Sequence, residues 1–272
     1  MSQSIFSYYY DPHIYIDTYE APNTINFRVH LSVRNQSLQT LWFRLSQPHE
    51  DITPSYINLG SVGAGSTATL TPTFSVPKPS QDVTYSGNWK IEAFTDSNYS
   101  NKVTEATKFT EVRLCDLSQW DQILFTTFDN GTSQGWTMAA YVGIRGDWSV
   151  YPGYSIGYHM YPGISVSITS QFYRDVNIPI ASMVLMSFYF VQWNNNPSAN
   201  YTRLYIKVDD TTIFDYRRSI YDSTYGPYRI CVNLTPYQGG TRRINFLIDG
   251  RCSSNTQLKW WIDNIRIAYK TY

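Results

Sequence analysis

The sequence predicts an all-β protein of two tandem β-sandwiches, and three observations lead there. Helical periodicity is nearly absent, while period-two alternation recurs along the whole chain. Short runs of β-branched and aromatic residues are bounded by Gly, Pro, Asn and Asp. Turn signals return about every ten residues, the spacing of sandwiches and barrels. The 272 residues suffice for one or two domains with cores of their own.

The first half reads as one sandwich. Ile25 to Val33 alternates, with Ile25, Phe27, Val29, Leu31 and Val33 on one face, the mark of a half-buried strand. Leu41 to Leu45 is a second strand, and Tyr56 to Leu59 a third, followed by the Gly-rich turn Gly60 to Gly65. Thr67 to Val76 alternates again, Pro77 to Gln81 breaks the chain, Gly87 to Thr95 reads as a central strand around Trp89 and Ile91, and Thr107 to Leu114 closes the unit. The stretch Ser4 to Tyr19, with its Tyr8-Tyr9-Tyr10 run, suits either a strand of this unit or an arm to a neighbour.

Three features of this half, Val33-Arg34-Asn35, Leu59-Gly60-Ser61-Val62-Gly63-Ala64-Gly65-Ser66-Thr67 and Gly87-Asn88-Trp89-Lys90-Ile91, resemble archaeal and bacterial immunoglobulin-like surface modules. The resemblance implies an immunoglobulin-like β-sandwich over residues 1–115. Residues 116–122 read as a linker.

The second half, 123–272, opens with Phe128-Asp129-Asn130-Gly131 leading to Gly135-Trp136, and ends with Trp260-Trp261-Ile262-Asp263-Asn264-Ile265. Between them, Tyr201 to Val208 alternates through Leu204, Ile206 and Val208. Asp209-Asp210 followed by Thr211-Thr212 reads as a hairpin turn. Arg229 to Leu234 and Arg243 to Ile248 form a hairpin-like pair around Gln238-Gly239-Gly240. The opening and ending together resemble jelly-roll modules of the galactose-binding-like type, common in carbohydrate-binding modules and adhesion domains. A jelly-roll β-sandwich is the fold this implies.

Composition excludes several classes of function. Twenty-one basic and 21 acidic residues balance to zero, and the densest basic sites are the pairs Arg217-Arg218 and Arg242-Arg243, so an electrostatic nucleic-acid binder is not expected. The charged fraction is 15%, below the roughly 25% of ordinary domains. Such a surface loses few ion pairs in acid, which suits an acid-stable protein or one packed into an assembly. No run reaches the ~18 apolar residues of a membrane span; Ile178 to Val191, the most apolar, is interrupted by Pro179, Ser182 and Ser187. Met1-Ser2-Gln3-Ser4 has no signal-peptide grammar. The three cysteines, Cys115, Cys231 and Cys252, lack zinc spacing. Cys231 and Cys252 flank one predicted hairpin but out of register, which disfavours a disulfide without closing it.

Candidate sites follow, each with its plain structural counterpart. Asp129 and Asp263 match the positions where the resembled jelly-rolls often hold a structural calcium, which takes several oxygens, backbone carbonyls among them; the counterpart is a turn cap and a loop hydrogen bond. Trp148, Tyr151, Tyr154 and Tyr158 form an aromatic stretch, and Trp193 stands before Asn194-Asn195-Asn196; both suit a sugar-stacking platform, or else core and subunit contacts. Asn35, Asn98, Asn130, Asn200 and Asn233 begin Asn-x-Ser/Thr triplets, acceptors for glycosylation if the chain is on an outer surface. His13, His30, His49 and His159 form no ligand pair, and neither a Gly-x-Ser-x-Gly elbow nor a phosphate loop occurs. No enzyme is expected.

Two function classes result. Tyr-rich, charge-poor tandem sandwiches resemble structural proteins of viruses infecting archaea of hot acidic springs, which implies a virion or surface component acting as a homo-oligomer or with other virion proteins. The other class is a carbohydrate-binding adhesin or accessory module that uses the jelly-roll half to bind glycans.

Overall fold

The structure, a computed structural model, describes residues 6–10, 13–29, 31–139, 142–146, 154–160, 166–194, 201–217, 224–252 and 257–271. The regular structure of these residues is all β, apart from two short 3-10 turns at Leu117–Gln119 and Thr235–Tyr237. The chain divides into two compact units, Met1–Asp116 and Leu117–Tyr272.

The first unit runs β1 (Phe6–Tyr10), β2 (His13–Asp17), β3 (Thr24–Arg28), β4 (Leu31–Asn35), β5 (Leu41–Ser46), β6 (Tyr56–Val62), β7 (Thr67–Leu70), β8 (Thr73–Pro77), β9 (Val83–Phe94) and β10 (Lys102–Cys115). Its sheets are ordered β1-β4-β7, β2-β10-β9-β5-β6 and β3-β8. The N-terminal stretch thus adds a strand to each larger sheet, β2 lying parallel to β10. The alternating run Ile25 to Val33 is one apolar face but two strands. It breaks at Val29, whose N–H donates to the carbonyl of Pro72 (3.0 Å), while the partner run Thr67 to Val76 breaks at Pro72, which has no N–H to continue a ladder. Ile25, Phe27, Val29, Leu31 and Val33 remain buried across the break.

Trp89 is wholly buried, with Phe74 edge-on at 4.8 Å. Gly87, two residues earlier, has a structural cause: a Cβ there falls 2.0 Å from the carbonyl oxygen of Pro48.

The second unit runs β11 (Asp121–Thr126), β12 (Thr137–Met138), β13 (Gly143–Arg145), β14 (Ser155–Met160), β15 (Val166–Ile178), β16 (Met183–Asn194), β17 (Tyr201–Val208), β18 (Thr211–Arg217), β19 (Thr224–Asn233), β20 (Gly240–Cys252) and β21 (Leu258–Lys270). One sheet has the order β13-β14-β21-β16-β19 with β11 also on β21; the other is β12-β15-β20-β17-β18. One apolar core is shared by both sheets. Within it Phe172 and Phe246 stack at 4.8 Å and 3°, and Phe188 of the other sheet meets Phe246 edge-on at 5.0 Å.

The motifs at the two ends of this half meet: β11 lies antiparallel to β21, Leu124 opposite Ile267 and Thr126 opposite Ile265. In the stretch read as a linker, 116–122, the strand β11 already begins at Asp121. Leu117 and Trp120 are buried, and the Gln122 amide donates to both their carbonyls. Asp209 and Asp210 do form the turn between β17 and β18. The expected pair around Gln238-Gly239-Gly240 is not a hairpin: β19 and β20 belong to opposite sheets. The Thr235–Tyr237 turn, with Pro236 in its first positions, carries the chain from one to the other. Cys231 and Cys252 therefore lie on strands of different sheets, and Cys231 is a thiol.

Gly87→Ala forces a side chain into backbone, and overpacking of this kind costs about 1–3 kcal/mol. Denaturant unfolding checks it against Asn88→Ala, an exposed neighbour expected to change stability little; equal stability of the two variants contradicts the close approach of Pro48 to β9.

Candidate functional site

Among the described residues, those singled out by sequence do not converge on one site. Trp148, Tyr151 and Asn200 lie outside the described residues, as does the side chain of Tyr158. Tyr154 is exposed (45%), its ring set against Gly146. Trp193 is half-buried on β16, packed with the buried pair Val191 and Trp261 and with the Lys259 ammonium 5.3 Å from its ring. It packs on a small apolar cluster and keeps part of its surface exposed.

The Asn-x-Ser/Thr triplets are mostly turn chemistry. Asn35 is wholly buried; its amide donates to the carbonyls of Gln39 and Val62, and its oxygen accepts from Ser37. That amide is closed to a glycan in the folded chain, which corrects the sequence expectation at Asn35. Asn130 accepts from the Thr132 N–H and hydroxyl, and Asn233 from the Thr235 N–H, both Asx turns. Asn98 and Asn130 are exposed.

Asp129 and Asp263 are drawn into one electrostatic neighbourhood by the β11–β21 pairing. Asp129 is exposed, in the tight turn closed by the Gly131 N–H on the Phe128 carbonyl (2.8 Å). Asp263 is buried and accepts the Asn264 N–H at 2.7 Å. Phe128 and Asn264 both take left-handed backbone, φ 58° and 50°, and such outliers gather where a site demands them. Burial pushes the Asp263 carboxyl up to about 8, and the charge of Asp129 adds to the rise. Among the described residues no cluster of three acid, His or Cys groups surrounds them.

The richest polar and aromatic constellation is elsewhere, on the outer face of β15, β20 and β17. Phe172, Leu204, Ile206, Phe246 and Ile248 are buried in the core, so alternation turns their neighbours outward. Three cross-strand rows result: Thr169–Asp249–Arg203, Gln171–Leu247–Tyr205 and Tyr173–Asn245–Lys207. The Thr169 hydroxyl donates to Asp249 (2.7 Å) and the Asn245 amide to Gln171 (3.3 Å). The Asn245 carbonyl oxygen, in the middle of the face, has no hydrogen-bond partner among the described residues.

Each tyrosine ring is held by an arginine. The Arg243 guanidinium lies 4.4 Å from the Tyr173 ring centre and pairs with Asp175 through two hydrogen bonds of 2.8 and 3.2 Å. The Arg203 guanidinium lies 4.6 Å from the Tyr205 ring and pairs with Asp215. Arg243 beside Asp175 holds that carboxyl below its ordinary range. Burial, with the Asp249 carboxylate nearby, raises the Tyr205 phenol. Exposed cation–π pairs contribute only about 0.5–1 kcal/mol, enough to orient a ring and far less than the core beneath. Two strand spacings and one two-residue step separate the tyrosines, roughly 12 Å between their Cα atoms. The signal for this face was present in the alternation, but its members lie far apart in sequence, Gln171 from Asn245 by 74 positions and Thr169 from Asp249 by 80.

No protein-family model matches the chain, and no curated protein matches it. Among solved structures the chain is similar to a carbohydrate-binding module specific for non-crystalline cellulose, at 16% identity over 54% of this chain and 94% of that one, TM-score 0.39. It is similar to a carbohydrate-binding module that recognises mannan, at 12% identity over 56% and 99%, TM-score 0.39. A structure of promiscuous carbohydrate-binding modules of the β-sandwich superfamily aligns with 98% of this chain and 99% of its own, at 12% identity and TM-score 0.36. Likeness at this level carries no residue across, and the functional reading rests on the chain's own side chains.

Asp263 sets a pH dependence whose sign is definite. Its folded value, about 8, stands above the ordinary 3.8. Between them the unfolded chain has released a proton that the native state keeps, so stability falls as pH rises from about 4 to about 8. With a chelator present, Asp263→Asn is expected to gain on the order of a few kcal/mol at pH 7.5 and little at pH 3.5. Denaturant unfolding at both pH values checks this; a loss at pH 7.5 shows instead a native carboxylate that is ionised and needed.

Proposed function

We propose that the second unit is a non-catalytic carbohydrate-binding module that lays an extended glycan across the outer face of β15, β20 and β17. The observation that carries this is the pairing of two arginine-braced tyrosines, Tyr173 and Tyr205, with Asn245 and Leu247 on the strand between them and Gln171 and Asp249 on the same face. Sugars present apolar C–H faces and many hydroxyls; aromatic rings take the first, and Gln171, Asn245 and Asp249 take the second. A separation of roughly 12 Å suits successive units of a chain rather than one sugar. The charges on the face are largely paired, which favours a neutral glycan.

The first unit is read as an immunoglobulin-like module accompanying it, and the whole as an outer-surface or virion-exposed protein. The competing virion reading has the chain act as a homo-oligomer or with other virion proteins.

A structural calcium ion is proposed at Asp129 and Asp263. The buried Asp263 carboxyl, and Asp129 close enough to act on its charge, would supply two hard oxygen donors of the several, backbone carbonyls among them, that calcium takes. Bound calcium supplies positive charge that lets Asp263 ionise where it is. At pH 7.5 calcium is expected to raise the unfolding midpoint of the parent chain and leave that of Asp263→Asn unmoved; calorimetry with and without chelator reads this.

Cello- and manno-oligosaccharides are the first probes. Tyr173→Ala and Tyr205→Ala are each expected to weaken binding about tenfold or more, ~1.4 kcal/mol or above, with unfolding midpoints little changed. Isothermal titration gives the affinities, and light scattering on the same samples gives the mass. A discrete oligomer with no affinity in a broad glycan screen favours the virion reading and overturns this one.

A further inference from the structure

The first unit carries a constellation that the glycan reading of the second does not use. On β5 the residues Leu41, Phe43 and Leu45 are buried, and Arg44 between them faces outward. Its guanidinium carbon lies 4.5 Å from the ring centre of Tyr56, 4.9 Å from that of Phe94 and 5.2 Å from that of Tyr99. Its Nε–H donates to Asn58 Oδ1 at 3.0 Å. Three rings and one amide fix the plane and direction of the group, and its two terminal nitrogens have no hydrogen bond or ion pair to any described residue.

An arginine used only as structural glue has an obvious partner here. Glu92 stands directly opposite Arg44 on β9. That carboxylate instead lies between Lys90 and Lys102, 3.4 Å from each, and Lys102 also holds Glu105 at 2.7 Å. The nearby acids are answered by lysines, and the arginine fork is left over.

The cage is also built at a cost. Tyr99 takes left-handed backbone, φ 57°, which costs about 1–3 kcal/mol for a bulky residue. Its loop is folded around the Asp96 carboxylate, which accepts the N–H groups of Asn98, Ser100 and Asn101 and the Ser100 hydroxyl. The Tyr99 hydroxyl in turn accepts the Gly60 N–H at 3.1 Å. These bonds hold in place a ring that packs edge-on against Phe94 at 5.4 Å and meets the Arg44 guanidinium.

We propose that Arg44 is a binding site for a carboxylate on an acidic sugar residue, distinct from the neutral-glycan face of the second unit. The two Nη groups donate as a fork to the two carboxylate oxygens, the pairing for which a planar guanidinium is suited. Tyr56, 49% exposed beside the fork, offers an apolar ring to the sugar's carbon skeleton, which an inorganic anion does not need.

Titration calorimetry of the full chain with oligogalacturonate tests the site, with neutral galacto-oligosaccharide and sodium sulfate as comparators. Saturable binding of oligogalacturonate is expected, weakened by added salt and absent with the neutral sugar. Arg44→Lys keeps the charge but loses the fork, and is expected to lose about tenfold or more in affinity. Tyr56→Leu, at a half-exposed position outside the core, is expected to lose severalfold with the unfolding midpoint unchanged. Tyr173→Ala is expected to bind oligogalacturonate as the parent does, so failure of the neutral-glycan face and failure of this site are separable. Absence of saturable binding, equal affinity of Arg44→Lys, or sulfate binding as tightly as oligogalacturonate overturns the proposal.

Discussion

The stacked pair Phe172 and Phe246 sets the second unit, because it locks β15 to β20 in one register. Side chains alternate with period two, so a one-residue slip of either strand turns every inward ring to solvent. Truncating a buried aromatic costs about 3–5 kcal/mol, whereas a cross-strand pair on the solvent side contributes 0.2–1 kcal/mol at about the same scale as any other. The core therefore decides the parity, and the outer residues are free to serve another purpose. Tyr173, Asn245 and Tyr205 stand where they do because Phe172, Phe246, Leu204 and Ile206 point the other way.

Two strategies for presenting aromatic rings and cations appear in the two units. On the outer face of β15, β20 and β17 the arginines are already paired with Asp175 and Asp215, and they brace rings whose surroundings are polar. On the outer face of β5 the rings brace the arginine, and the cation is what is offered. The first arrangement favours uncharged, hydroxyl-rich ligands and the second a carboxylate. The backbone outliers at Phe128, Asn264 and Tyr99 stand beside the acid pair and the caged arginine, as expected where local conformation is held against its own preference.

Much of this fold was legible in the alternation and in the two matching ends of the second half. The pairing of β11 with β21 gives the end motifs their meaning, and Asp209-Asp210 turned as its composition implied. The breaks were less legible. Ile25 to Val33 reads as one strand because its buried face is continuous, and only the partner's Pro72 divides it. Arg229 to Leu234 and Arg243 to Ile248 read as a hairpin because parity is the same whether two strands share a sheet or face across a core. The binding face was hidden by distance: Gln171, Tyr205 and Asn245 become neighbours only through cross-strand pairing. The aromatic cluster near Tyr151 and the residue Trp193 stood out instead because they are contiguous or large. Asn35 looked like a glycan acceptor because a sequon and an Asx turn ask for the same residues.

The central claim is that the outer face of β15, β20 and β17 holds an extended neutral glycan. Mapping amide chemical shifts of the full chain on titration with cello- or manno-hexaose tests it most directly. The account predicts perturbations centred on Gln171, Tyr173, Asn245 and Tyr205, spreading across all three strands and sparing β16 and β21. Perturbations centred on Trp193 and Lys259 instead, with the three strands silent, contradict it.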